Sequence, residues 1–192
     1  MTDAIADWLR NQFAQVADVR VATTEPDNTV IFQTHQANLV VSTWMGARLY
    51  VYLLNSVPKV RDLKAVLRDN TRAGIGTLFV LDVTALPTDG ITIKTPEWQD
   101  VLAALNAGWI YAYEQISTGY RLRQVHYSQG QLKGHHDIWH LNDFCIDNVT
   151  VRKRELRDTL RGTWMVGDIA STAYKRRVNS QRANQRFHYQ TK

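Results

Sequence analysis

The amino-acid sequence predicts an α+β or mixed α/β fold, and three observations support this prediction. Apolar residues recur at steps of three and four near the N-terminus, which is the period of an amphipathic helix. β-rich runs follow from Val19 to Asn55. Beyond them, helical and strand-like patterns alternate. The predicted order is a helix, a three- to four-stranded sheet, a second helix and a strand, then a third helix, an antiparallel hairpin and a basic, helical C-terminal appendage.

The first half of the chain is predicted from its periodicity. Residues 3–16 place Ile5, Leu9 and Phe13 on one face of a helix. The runs "VRVATT", "NTVIFQTH", "NLVVSTW" and "RLYVYLL" are rich in β-branched and aromatic residues, as strands are. A second helix is predicted to begin near Pro58 and to end at Gly74. "TLFVLDV" is apolar on both faces, which is expected of a strand in the middle of a covered sheet.

The second half is predicted from turn and capping residues. Thr95 is expected to cap a third helix with Pro96 at its first position. "GWIYAYEQI" and "YRLRQVHYS" flank "STG", which predicts an antiparallel hairpin. "HHDIWHLNDFCIDNVTV" is compatible with a strand or with an irregular segment. "RKRELRDTLRG" predicts a charged helix that ends at Gly162, and Asp168 is expected to cap a last helix.

Length and composition predict one domain with an appendage. The chain has 192 residues, of which 44% are hydrophobic and 21% charged, as is ordinary for a globular protein. We predict a single domain over residues 1–161, with a candidate internal seam at 84–95, where Thr, Pro and Gly accumulate. A basic helix and tail are predicted over residues 162–192.

The sequence favours a cytoplasmic protein that does not associate with membranes. Its first ten residues carry acids where an export signal carries basic residues, and no stretch approaches the ~18 apolar residues of a membrane helix. Cys145 is the only cysteine, so no internal disulfide can form. No cofactor-binding motif occurs, and no cofactor is predicted.

The charge is unevenly distributed along the chain. Residues 1–149 contain 12 Lys or Arg and 15 Asp or Glu, whereas residues 150–192 contain 11 and 3. Such asymmetry indicates that the basic end binds a polyanion or an acidic protein surface. No sequence-reading helix is recognisable there, so binding to nucleic acid is expected to be mostly non-specific.

The predicted hairpin offers a second candidate contact. Alternation along a strand places Tyr111 and Tyr113 on one face, and a pairing of Ile116 with Tyr120 would set Tyr113 opposite Arg123. Exposed, these rings would stack on bases; alternatively, they belong to the core, with Arg at the rim. The residues predicted to contact nucleic acid are Lys175, Arg176, Arg177, Arg182, Arg186, Arg152, Lys153, Arg154, Tyr111, Tyr113, Arg121 and Arg123.

The segment "HHDIWHLNDFCID" concentrates residue types that bind zinc or transfer protons. His136 and His140 would share a face both in a helix and in a strand, so they are the candidates for a metal site. No Glu is placed between them to act as a base, and no second Cys is present. We therefore predict no metal site and favour a polar edge segment with Trp139 and Phe144 packed inward.

The order helix, strands, helix, strand is similar to the core of restriction-endonuclease-like nucleases. Such enzymes place a metal-binding acid on one strand and an acid-x-Lys motif on the next. "NLVVSTWMGARLYVYLLN" contains no carboxylate and no lysine. The resemblance therefore implies at most a catalytically dead nuclease-like domain.

The sequence thus favours a non-catalytic protein that binds a polyanion, with nucleic acid as the preferred candidate, through its basic C-terminal region. The alternative is a protein-interaction or homo-oligomerising module whose C-terminal segment docks on an acidic partner. No motif specifies a reaction, which favours a binding function over an enzyme.

Overall fold

A mixed β-sheet of ten strands organises the described part of the chain. The computed structural model describes residues 2–25, 36–141, 144–158 and 160–170. The α-helices are α1 (Thr2–Phe13), α2 (Val60–Arg72) and α3 (Glu97–Leu105), and a 3₁₀ turn spans Val83–Ala85. The strands are β1 (Val19–Thr23), β2 (Leu39–Thr43), β3 (Arg48–Leu54), β4 (Gly76–Asp82), β5 (Thr92–Lys94), β6 (Trp109–Ile116), β7 (Gly119–Gln129), β8 (His135–Leu141), β9 (Thr150–Leu156) and β10 (Gly162–Asp168).

The strands pair in the order β1-β2-β3-β4-β6-β7-β8-β5, and β10 joins β4 to β9 outside this path. β3, β4 and β6 run parallel, as do β4 and β10. The remaining pairs are antiparallel. Three groups of antiparallel strands, β1-β2-β3, β6-β7-β8-β5 and β9-β10, therefore meet at the parallel strand β4.

The sheet forks at β4. β3 occupies one edge of β4 from Gly76 to Leu81. On the other edge, Thr77 pairs with Val166 of β10, whereas Val80 to Asp82 pair with β6. One arm of the fork continues through β6 to β5, and the other consists of β10 and β9.

The two faces of the sheet are covered by different helices. Tyr50 and Tyr52 of β3 belong to the core that contains the buried face of α2 and α3, whereas Leu49, Val51 and Leu53 belong to the core that contains α1. This alternation follows from the two-residue period of a strand. It explains why β3 and β4 are apolar on both faces. No described helix is long and apolar enough to cross a membrane.

The predicted architecture is wrong in the size of its sheet. α1, α2, α3 and the hairpin of β6 and β7 are present, but a three- to four-stranded sheet with a separate hairpin is replaced by ten strands in one sheet. The segment 84–95, predicted as a loop or seam, contributes β5, which pairs with β8. Residues 28–35, predicted as a strand, lie outside the described residues.

The predicted charged helix over 152–161 is also wrong, because these residues begin with strand β9. β9 forms an antiparallel ladder with β10 from Leu156 opposite Gly162 to Thr150 opposite Asp168. Arg, Lys, Glu and Leu favour helices, but that preference is worth only tenths of a kcal/mol per residue, about 0–0.7. Pairing with β10 outweighs it.

The predicted basic helical appendage does not begin at residue 162. Gly162 to Asp168 form β10 within the sheet. The predicted last helix beyond Asp168 lies, from residue 171 onward, outside the described residues. The proposed division into 1–161 and 162–192 stays a prediction, although β10 belongs to the same sheet as β4.

Gly167 of β10 allows the arm formed by β10 and β9 to approach β3. A Cβ atom at this position would lie 2.0 Å from Cδ1 of Leu49, which is buried. We predict that Gly167→Ala lowers the free energy of unfolding by about 1–3 kcal/mol, because the core must shift to admit the methyl group. Urea unfolding followed by tryptophan fluorescence measures this change.

A double-mutant cycle provides the control. Leu49→Ala removes the clashing atoms, so the double variant should lose less stability than the sum of the two single losses. Strict additivity would show that the two residues do not contact each other.

Candidate functional site

The described residues that lead into the basic end of the chain form the basic hairpin, which we define as β9, β10 and the described residues of their connection. β9 pairs only with β10 among the described strands, so it forms an edge. Arg152 pairs with Asp168 at 3.1 Å, and Arg157 with Glu155 at 3.7 Å. In contrast, the cationic groups that form no ion pair with any described residue are Lys153, Arg154 and Arg161.

Arg154 is the most constrained cation of the basic hairpin. Its Nε is buried and has no hydrogen-bond partner among the described residues. Burial, and secondly the neighbouring Arg152, lower the pKa of the Arg154 guanidinium, while Asp168 acts in the opposite direction. A nearby anion would stabilise this charge.

Asp168 anchors the basic hairpin to the rest of the sheet. The Tyr111 hydroxyl donates to Asp168 Oδ1 at 2.5 Å, Arg152 donates to Oδ2 at 3.1 Å, and the backbone N–H of Ala170 donates to Oδ1 at 3.3 Å. Gln124 Nε2 lies 3.4 Å from the Tyr111 oxygen. Burial, followed by the charge of Asp168, raises the pKa of Tyr111. These groups fill the fork between β6 and β10.

The aromatic surface predicted on the β6–β7 hairpin is not exposed. Tyr111 and Tyr113 are both buried, in the core that also contains Phe144. The expected register is wrong by one residue, because Ile116 pairs with Gly119 and Tyr113 lies opposite Leu122. A two-residue turn replaces the three-residue "STG" turn. Bases therefore have no ring surface to stack on at Tyr111 and Tyr113.

Arg121 and Arg123 are bound to a carboxylate instead. Both donate to Glu114 Oε2, with Nε at 2.5 Å and 2.7 Å. The hydrogen bond from Arg121 is the largest of the effects that lower the pKa of Glu114. The pairing of Glu114 with Arg121 across the ladder explains the contact. These two arginines are consequently weaker candidates for phosphate than those of the basic hairpin.

His136 and His140 lie on β8 but have different partners. His140 Nε2 donates to the backbone oxygen of Pro87 at 2.8 Å. His136 Nδ1 lies 3.0 Å from Thr95 Oγ1 and 3.6 Å from Asp100 Oδ1. Among the described residues, no group of three His, Cys, Asp or Glu side chains is placed to hold a metal ion.

The sequence did not indicate that Thr95 and Asp100 belong with His136. Thr95 was expected to cap α3, but Pro96 occupies the cap position and makes no side-chain cap hydrogen bond. The Thr95 hydroxyl contacts Asp100 and His136 instead. The antiparallel pairing of β5 with β8 brings these residues together, and no local pattern predicts it. The tail cations Lys175, Arg176, Arg177, Arg182 and Arg186 lie outside the described residues.

Comparison with known proteins adds no assignment. No family model, curated protein or solved structure matches this chain. β2 and β3, which would carry the metal ligands of a nuclease-like core, contain no carboxylate and no lysine. The chemistry of the chain itself is therefore the basis for inferring function.

The hydroxyl of Tyr111 should contribute to stability. We predict that Tyr111→Phe lowers the free energy of unfolding by about 1–3 kcal/mol, because buried Asp168 loses a hydrogen-bond donor. Chemical denaturation is the measurement. Tyr120→Phe is the matched control, since the Tyr120 hydroxyl makes no hydrogen bond with the described residues, and it should change stability by less than about 0.5 kcal/mol. Equal losses in the two variants would contradict the role of the Asp168 contact.

Glu114 should make stability depend on acid pH. Its pKa is lower in the folded protein than its ordinary value of 4.5, so its contribution is present above pH 4.5 and is lost as pH falls through the lowered value. At neutral pH we expect Glu114→Gln to cost a few tenths to about 1 kcal/mol. Thermal unfolding from neutral to acid pH should show the two proteins converging at low pH. A difference that is constant with pH would contradict this prediction.

Proposed function

We propose that the protein binds nucleic acid through the basic hairpin and the cationic residues that follow it. The observation that supports this most directly is uncompensated charge: Lys153, Arg154 and Arg161 form no ion pair with described residues. Directly after Ala170, residues 171–192 add six Lys or Arg and no Asp or Glu. Phosphate oxygens are the ligands that such a cluster binds most readily.

The charge distribution determines where a polyanion would lie. Residues 1–149 carry more acids than bases, so they repel a nucleic acid that crosses the body of the domain. β9 is an edge strand, and its exposed Lys153 is open to a ligand, whereas Arg152 pairs with Asp168. Binding therefore involves the basic hairpin and the residues after it. Because Tyr111 and Tyr113 are buried, backbone phosphates supply most of the affinity.

A second candidate is a protein-interaction or homo-oligomerising module. Trp44 and Met45, in the turn between β2 and β3, are 68% and 94% exposed. Large exposed apolar side chains at one turn are suited to burial against another protein. In this alternative the basic C-terminal region docks on acidic side chains of the partner rather than on phosphates.

Fluorescence anisotropy tests the proposal with the full chain. Labelled single-stranded and duplex oligonucleotides are titrated over a salt series. We expect tight binding at low salt, with a log–log slope of roughly −0.9 for each phosphate contact on duplex DNA. Replacing Lys153, Arg161 and the tail cations with Gln should flatten the slope and weaken binding. Truncation after Gly162 is unsuitable because it removes β10.

The control variant removes the same kind of charge elsewhere. Arg61 and Arg68 lie on α2, where each forms an ion pair with the adjacent acid, and their replacement by Gln should leave the affinity unchanged. Polyglutamate is titrated as an acidic competitor. Failure of both oligonucleotides to bind at low salt would refute the proposal, and tight binding of polyglutamate alone would support the second candidate.

A further inference from the structure

A cleft of about 370 Å³ lies between α3 and the connection of the basic hairpin. Its walls come from α3, the start of β6, strands β7 and β8, and the connection between β9 and β10. Val101, Ala104, Leu156 and Leu160 supply apolar surface. Clefts of roughly 300–1,000 Å³ with apolar walls and a few polar groups are the usual sites for small ligands.

The polar contacts at one wall determine the proton positions of His136. Thr95 has one hydroxyl proton, and a carboxylate accepts hydrogen bonds only, so Thr95 donates to Asp100. His136 Nδ1, 3.0 Å from the Thr95 oxygen, must then carry a proton and donate. In neutral His136 the lone pair is consequently on Nε2. That atom has no hydrogen-bond partner among the described residues.

Tyr127 provides an independent indication of a ligand. It lines the same cleft and is only 5% exposed, yet its hydroxyl has no hydrogen-bond partner among the described residues. Burial, and secondly the charge of Asp100, raise the pKa of this hydroxyl, so it is neutral at physiological pH. A buried hydroxyl without a partner is unfavourable, and a ligand that donates to its oxygen would reduce that cost.

The charge of the cleft selects the ligand class. Asp100 and Asp158 are carboxylates on its walls, and Oδ2 of Asp100 has no hydrogen-bond partner among the described residues. The one guanidinium on the walls, that of Arg157, is 87% exposed and pairs with Glu155. The cleft therefore favours a cation and disfavours an anion.

We propose that this cleft binds a small organic primary amine in its ammonium form. An ammonium group has three N–H donors and no acceptor. The cleft offers three matching acceptors, namely the Asp100 carboxylate, Nε2 of His136 and the Tyr127 oxygen. The apolar part of the ligand packs on Val101, Ala104 and Leu156. This site does not depend on the proposed binding of nucleic acid.

Calorimetric titration of the full chain with benzylamine tests the proposal at slightly alkaline pH, where the amine is charged. Benzyl alcohol and benzoate, which have the same ring, are titrated in parallel. We expect benzylamine to bind, benzyl alcohol to bind at least about tenfold more weakly and benzoate not to bind measurably. Amide NMR shifts should be confined to residues that line the cleft.

Two variants identify the contacts. Asp100→Asn should weaken benzylamine binding by about tenfold to a hundredfold, because the charge-assisted hydrogen bond is lost. Tyr127→Phe should weaken benzylamine binding several-fold. Because this substitution keeps the shape of the wall, it still tests the site if the Asp100→Asn variant does not fold. Asp62→Asn, at an exposed carboxylate on α2, is the matched control and should leave binding unchanged.

The proposal is overturned by any of three results. Benzylamine could fail to bind at millimolar concentration, benzoate could bind equally well, or Asp100→Asn and Tyr127→Phe could both bind benzylamine like the unsubstituted protein. Thermal unfolding of each variant establishes that the comparison is made between folded proteins.

Discussion

The shared edge of β4 is the constraint on which the rest of the structure depends. A strand edge usually forms one continuous ladder with a single neighbour. Here β10 pairs with the first part of one edge of β4, and β6 pairs with the last part of the same edge. The two neighbours must diverge, and the gap between them is buried. Tyr111, Gln124, Arg152 and Asp168 fill it with hydrogen bonds, so that the buried carboxylate has both a donor and a counter-charge.

This fork separates two kinds of surface chemistry. The arm from β6 to β5 carries compensated charge, such as Glu114 with its two arginines. The arm of β10 and β9 carries cations without described partners and leads directly to the basic end of the chain. The acceptors proposed for the cleft, on Asp100, His136 and Tyr127, do not belong to the basic hairpin, although the hairpin forms one wall of the cleft. The two proposed sites can therefore be tested separately.

Local patterns in the sequence predicted several elements well, for identifiable reasons. The helical period of Ile5, Leu9 and Phe13 and the doubly apolar run of β4 are strong signals, because burial on defined faces requires them. β9 was missed because Arg, Lys and Glu have helical preferences, and its strand conformation depends on a partner that follows it in the chain. The register of the β6–β7 hairpin was missed because it depends on a turn that differs by one residue.

The sequence by itself determined the apolar faces of the helices, the central strands and the concentration of cations after residue 150, since each is a property of neighbouring residues. Only the tertiary structure decided that ten strands form one sheet, that Tyr111 is buried against Asp168, and that Thr95, Asp100 and His136 meet beside Tyr127. These contacts join residues far apart in the chain. Their pairing depends on which strand edges are free after the others have formed, and no local pattern encodes that outcome.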